Sequence, residues 1–342
     1  MWKVRRRLGW VVLTAICVAL SAEQARAGSD PSDVLELRFE WPSPLALRVE
    51  RSFERRDMID DPVGKVTAAS VVRSVWRGSQ ADGEYRIAAD DFEVVQAEKP
   101  PSSQDPALHV AHVYRVASAE PPTLFVDATG KPLRFEELPG FPERLAAQYA
   151  AIPGLDADPG LSFRVELSMR PRDLERRAYG PWYFIAEIWH GRRVEVGKPW
   201  QVEQAGGGKD PKPTLHTYLP ERRIPCAAAD AARACLRLVM RWAAPVRDGR
   251  TAMARGFELV RGRDVPPTAR VESDGTITLD THPETLVPVR YVYERRFAVS
   301  WTDAAGTPRL AGWSERTVHD FTRVEPPARG AEAPADVDDA GR

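Results

Sequence analysis

The chain is 342 residues long and almost neutral, with 48 Lys and Arg against 49 Asp and Glu and a formal net charge of −1 at pH 7. Charges of both signs are interspersed, and no basic block outside the N-terminus could track a phosphate backbone, which argues against a nucleic-acid partner. The length suffices for one large domain or two ordinary ones around a substantial core. Seven lysines against 41 arginines read as genomic base composition rather than as an anion site.

The N-terminus has the layout of a secretory signal peptide. Lys3, Arg5, Arg6 and Arg7 precede an apolar run from Leu8 to Ala22, and small residues follow at Ala25-Arg26-Ala27. The run is shorter than the roughly 20 residues that a membrane-spanning helix needs. Residues 1–27 are therefore expected to be removed, leaving a periplasmic or secreted chain that begins at Gly28 and has no transmembrane segment. Cys17 follows Ile16 inside the apolar run, which is not the position of a lipoprotein cysteine.

From residue 34 onward the dominant pattern is the period of two that a strand with one buried face imposes. Leu45, Leu47, Val49 and Phe53 give the first instance. Asp82-Gly83 reads as a hairpin turn. Between Tyr85-Ile87 and Phe92-Val94 the apolar parity switches, which predicts a bulge or bend near Asp90-Asp91 that curves the sheet. The run holding His109 and His112 reads as strand, and Thr129-Gly130 as a turn. Phe141, Leu145, Tyr149 and Ile152 share a face at helical spacing, predicting a helix over Pro142–Ala151 that Pro153-Gly154 stops.

A boundary near Pro153–Gly160 would divide a β-rich domain over 28–324 into blocks of 34–152 and 161–324. Phe163, Val165, Leu167 and Met169 alternate again, and His190-Gly191 reads as a turn. Gly206-Gly207-Gly208 lacks the spacing of a phosphate-binding loop and reads as a flexible linker. Ala227–Ala234 could add a helical turn. Leu236, Leu238, Met240 and Trp242 alternate with Arg237 and Arg241, and Asp248-Gly249 and Asp274-Gly275 read as turns. The longest run places Val289, Tyr291, Tyr293, Phe297, Val299 and Trp301 on one parity, interrupted only by Arg295. Residues 325–342, rich in Pro, Ala, Gly and Asp, are expected to form a disordered tail. Long strands with a wet face belong to antiparallel sheets. The predicted fold class is therefore mainly β: a large curved antiparallel sheet or half-barrel with one or two short helices.

Chemistry is sparse. Cys226 and Cys235 have eight residues between them, and in an oxidising compartment such a pair is expected to form a disulfide. A redox motif would be C-x-x-C, and a zinc site would need partners that do not lie nearby in sequence, so no metal and no cofactor is expected. His109, His112, His190, His216, His282 and His319 are each expected at the surface or an edge, and no catalytic residue is assigned. The G-x-S-x-G, H-E-x-x-H and calcium-loop patterns are absent, and Asp60-Asp61 and Asp90-Asp91 read as solvated turns. Trp41, Trp76, Trp182, Trp189, Trp200, Trp242, Trp301 and Trp313 either fill a large core or line a greasy cavity.

Val194-Glu195-Val196-Gly197-Lys198-Pro199-Trp200, with the segments Asp274–Asp280 and His282–Pro288, resembles a recurrent element of exported bacterial β-rich proteins of unknown function. The resemblance covers mostly the second half of the chain and implies no activity. In shape, long curved strands with short helices are also similar to the half-barrel carriers of lipoproteins and lipids, a fold-level analogy that bears on binding and not on mechanism. The expected function is that of a non-enzymatic envelope protein binding an apolar ligand, a lipid or acyl chain, or a protein partner. A hydrolase with a site assembled from scattered residues is the alternative.

Overall fold

Period-two patterning requires long strands whose apolar face is buried, and the computed structural model has them. It describes residues 34–100, 104–117, 119–120, 122–136, 139–155, 157, 159–168, 181–204, 213–226, 234–244 and 265–324. The expected signal peptide, the C-terminal tail, the triple-glycine linker, most of Ala227–Ala234 and Asp248-Gly249 lie outside these residues.

The strands are β1 (Val34–Glu36), β2 (Leu45–Ile59), β3 (Lys65–Ala81), β4 (Glu84–Gln96), β5 (Thr123–Val126), β6 (Pro132–Glu136), β7 (Arg193–Glu195), β8 (Trp200–Gln204), β9 (Thr214–Pro225), β10 (Ala234–Ala243), β11 (Arg270–Thr281), β12 (Pro288–Thr302) and β13 (Pro308–Arg323). Helices α1 (Pro106–Ala117), α2 (Phe141–Ala150) and α3 (Pro159–Ser168) and a π-helical turn over Tyr183–Glu187 complete the described elements. Eleven strands form one open sheet in the order β6-β5-β4-β3-β2-β13-β12-β11-β10-β9-β8, and β1 pairs with β7 in a separate two-stranded sheet. The central pairings are all antiparallel, and β13 runs beside β2, so strands from both ends of the chain meet in mid-sheet.

The two faces differ in chemistry. One carries Leu45, Leu47 and Val49 of β2, Leu236, Leu238 and Met240 of β10, Ile277 and Leu279 of β11, Tyr291 of β12 and Phe321 of β13, all in one core cluster. The other carries ion pairs between residues directly opposite in register: Arg73 with Glu50 at 2.9 Å, Arg316 with Glu294 at 3.0 Å, Arg290 with Asp320 at 3.4 Å and Arg237 with Asp280 at 2.7 Å. Cross-strand opposite charges of this kind favour one register over its slipped alternatives.

Curvature is legible in the core. Leu124 and Val126 of β5 and Tyr218 of β9 lie far apart along the sheet, yet they belong to one cluster with the π-helical segment, which supplies Trp182, Ile185, Ala186, Ile188 and Trp189. The sheet therefore wraps around an internal plug. The plug is tied at its polar atoms: Trp182 Nε1 donates to the Gly130 carbonyl at 2.7 Å, Trp41 Nε1 to the Leu286 carbonyl at 3.1 Å, and the Phe39 N–H to His190 Nδ1 at 2.9 Å. The bend expected near Asp90-Asp91 is present as a register shift between β3 and β4, with Asp91 at φ 52°.

Three local expectations are corrected. The run around His109 and His112 is helix α1, because Pro106 sits in its first turn, where a missing N–H costs nothing, and the Asp105 carbonyl accepts the Leu108 and His109 N–H groups. Phe163 and Val165 lie in helix α3 rather than a strand, and Phe163 is exposed while Val165 is buried. Asp274-Gly275 is not a turn but the middle of β11. Gly275 stands opposite Trp242 in register, and the indole occupies the place of a side chain, so an added Cβ would meet Trp242 Cζ2 at 2.1 Å and the Glu294 carbonyl oxygen at 2.7 Å. Helix α2 is found where expected. Its Phe141, Leu145 and Tyr149 pack with Ile152, Leu155 and Val165 against Val110, Val113 and Ala117 of α1 in a small cluster of their own.

Cys226 and Cys235 form the expected disulfide, with Cα atoms 5.0 Å apart, joining the end of β9 to the start of β10. For so short a loop the bridge is worth roughly 2–3 kcal/mol. Replacing both cysteines by Ser should lower the melting temperature by several degrees, and two free thiols in the oxidised, denatured protein would refute the bridge. Gly275→Val should cost about 1–3 kcal/mol by overpacking against Trp242. A urea midpoint equal to wild type would show that both the indole and the β12 backbone at Glu294 give way without cost.

Candidate functional site

Where β2, β3, β4, β12 and β13 face the plug, the core is incompletely filled. A cavity of about 400 Å³ remains, walled by Val49, Val72, Trp76 and Ile87 on one side and by Tyr291 and Tyr293 on the other, with Leu124, Trp182 and Phe184 over it. β2, β3, β12 and β13 each contribute residues of a single parity, and β4 adds Ile87 and Ala89 before its bend and Phe92 after it, so the cavity follows from the pattern that makes the core. Trp76 meets Phe321 edge to face at 5.5 Å between ring centroids, and Tyr293 stacks on Trp242 at 5.9 Å, fixing two aromatic walls. Burial pushes the phenols of Tyr291 and Tyr293 up, so both stay neutral at physiological pH.

Besides the hydroxyls of Ser74, Thr317, Tyr291 and Tyr293, the cavity lining includes two basic residues. Arg51 of β2 and His319 of β13 are direct register partners across the strand pair. His319 is 8% exposed, stacks on Tyr291 at 5.4 Å, and its buried Nδ1 has no hydrogen-bond partner among the described residues. Burial, aided by the neighbouring Arg51 cation, holds its pKa down to about 3. Burial also pulls Arg51 down, to about 10, which leaves it charged at neutral pH.

Of the six histidines, expected at the surface or an edge, five are partly exposed and only His319 is buried. Residue type alone cannot rank them, but position can, since His319 falls on the buried parity of its strand. His112 and Arg115, at helical spacing on α1, both reach Glu98, at 3.2 Å and 2.7 Å. Glu98 is itself buried, and a smaller cavity of about 230 Å³ lies beside this cluster. No hydroxyl is hydrogen-bonded to His112 among the described residues. His216 stacks on Trp242 and lies tilted against Tyr218, and burial lowers its pKa. His282 places Nδ1 3.6 Å from Cys226 Sγ and 3.8 Å from Cys235 Sγ. These three residues lie close enough to hold a metal ion, but the two sulfurs are bonded to each other and offer no thiolate. Asp90 and Asp91 are both engaged by Arg77, at 2.8 Å and 3.4 Å, so this acidic pair serves the bend.

No protein-family model matches the chain, and no curated protein matches it. Among solved structures, the chain is similar to an outer-membrane channel from Pseudomonas putida F1. The match has 6% identity and a TM-score of 0.15, covering 86% of this chain and 99% of that one, and a likeness of that size carries no argument about fold or function.

The His319 environment predicts a pH dependence whose sign is fixed. The unfolded chain takes a proton near the ordinary value of 6.5, which the folded chain refuses until about 3. This contribution is therefore complete above pH 6.5 and is lost as pH falls through that window, by up to about 1.4 kcal/mol per pH unit. Urea midpoints should fall further between about pH 7 and pH 5.5 in wild type than in His319→Phe. An equal drop in both proteins would show that His319 is not the group responsible.

Proposed function

We propose that this chain is an exported, non-enzymatic envelope protein whose curved sheet holds an apolar ligand, a lipid or acyl chain, in the cavity between the sheet and its plug. The observation that carries the reading is the cavity. At about 400 Å³ it falls within the roughly 300–1,000 Å³ range of small-ligand sites and has the apolar lining with few polar groups that such sites share. The cross-strand ion pairs support a sheet whose outer face meets water, because a lipid-facing band would not carry them. The signal-peptide layout supports export.

Protein purified from its own envelope should release lipid on extraction and carry it in native mass spectrometry. Ala89→Trp should reduce the bound fraction several-fold, since Ala89 lines the cavity opposite Trp76 in register. Lipid-free protein in repeated preparations would move the reading to a protein partner. A hydrolase turnover lost on substituting His112 would overturn it altogether. N-terminal sequencing of the exported protein should begin at Gly28 or a near neighbour, and a chain still starting at Met1 would contradict export with cleavage.

A further inference from the structure

An inward-facing arginine in this fold has a structural solution, and Arg55 shows it. Arg55 lies four residues after Arg51 on the same face of β2. Its guanidinium is held by Asp57 at 2.9 Å and Glu315 at 3.4 Å and lies 5.3 Å from the centroid of the Trp313 ring. Arg51 has no such arrangement. Among the described residues it makes no hydrogen bond or ion pair, and the acid whose charge it feels, Glu98, is already taken by Arg115 and His112. Its register neighbours are Val72 on β3 and His319 on β13, neither of which supplies a negative charge. A cation in a low-dielectric wall without a counter-ion is costly, and a ligand that brings the counter-charge removes that cost.

We propose that the cavity is built for a single-chain amphiphile with an anionic head, carboxylate or phosphate, whose charge is met by Arg51 and whose chain lies among Val49, Val72, Trp76 and Tyr293. The inference rests on the reading of the cavity as an apolar-ligand site and adds the chemistry of the head. His319 completes the head site. It is neutral, buried and adjacent to Arg51, and in the tautomer with its proton on Nδ1 the unpartnered atom becomes a donor. The size sets the chain number. A cavity of about 400 Å³ lies at the small end of the roughly 300–1,000 Å³ range of small-ligand sites, which suits one medium chain better than the pair carried by a diacyl lipid. Arginine suits the head because its planar fork meets two oxygens of a carboxylate or phosphate at once.

The test compares ligands with one chain and different heads, each below its micelle concentration, on the full protein freed of co-purifying lipid over a hydrophobic resin. Dodecanoate and dodecyl phosphate should bind at least about 10-fold more tightly than dodecanol. Arg51→Met should abolish that preference while leaving dodecanol affinity within about threefold of wild type. If dodecanol binds wild type as tightly as dodecanoate, the anionic-head inference falls and the apolar cavity stands, a result that needs no variant. If none of the three binds, the cavity reading falls with it. Inorganic phosphate alone separates the remaining source: binding as tight as that of dodecyl phosphate would make this an anion site that ignores the chain, and would overturn the proposal.

Discussion

A sheet of eleven strands that curves without closing has a concave face that other residues must fill, and everything else in this structure follows from how that is done. The fill is a plug made of the segments around Phe39–Trp41 and Trp182–Trp189. Its large aromatic side chains reach both arms of the sheet. Phe39, Trp41, Tyr85 and Trp182 meet mostly edge to face at 5.1–6.1 Å, the geometry that the ring quadrupole favours. The indole N–H groups of Trp41, Trp182 and Trp189 are met by backbone carbonyls, while the buried Nε1 of Trp200 has no hydrogen-bond partner among the described residues. The hydrogen bonds give the plug one orientation, where hydrophobic burial alone would accept several.

The cavity and the fold are two outcomes of one pattern. Strands of 13 to 17 residues run about 50 Å, longer than a single plug can cover. The inner face accordingly changes character along its length. At one end it packs against the plug. In the middle it carries Arg55, Arg295, Glu315 and Trp313, where charges are matched to one another and to the ring of Trp313. Beyond them Val271, Phe297, Val299 and Ala311 form a second, smaller core. The cavity lies under the plug's margin, between packed core and charged belt, where side chains from five strands line a space that they do not fill.

Much of the fold was legible because the strands obey the physics that makes strands recognisable. Alternation from Val289 to Trp301 gives β12, and Leu236 to Trp242 gives β10, since each buries one face and wets the other. The bend at Asp90-Asp91 was visible as a change of parity. Misreadings arose where two periods fit the same residues. A run of small and apolar residues such as 109–117 satisfies a period of two and a period near 3.6 alike, and Pro106 was the discriminating residue. Asp274-Gly275 has turn chemistry, but its glycine serves the space taken by Trp242 across the strand pair, a long-range requirement that no local rule contains. The site was hidden for a related reason. Arg51 and His319 look ordinary in an arginine-rich chain, and only their position on the apolar parity of β2 and β13 sets them apart. Arg295, which interrupts the same parity on β12, carries the same signal in the sequence. Polar residues on a buried parity are the feature that finds the inner face's chemistry.

The open edges show that the sheet is meant to remain open. A curved sheet of this length could add strands or pair with another copy unless its margins resist it. Both margins are short. β6 and β8 have five residues each against 15 and 16 for β2 and β13 at the centre. β6 begins at Pro132, which cannot donate to a neighbouring strand, and its Arg134 is paired with Glu84 and lies over the Phe125 ring. β8 presents Gln201, Glu203 and Gln204 to solvent. Its one large aromatic, Trp200, is turned inward onto Tyr218 and Trp189. Closure would bring the margins together at the expense of the plug, because a closed barrel has no side from which residues 181–197 and 34–41 could enter between its arms. The plug that the open edges admit also covers the cavity, through Pro181, Trp182 and Phe184, so an open sheet and a ligand-sized space beneath it are consequences of one arrangement.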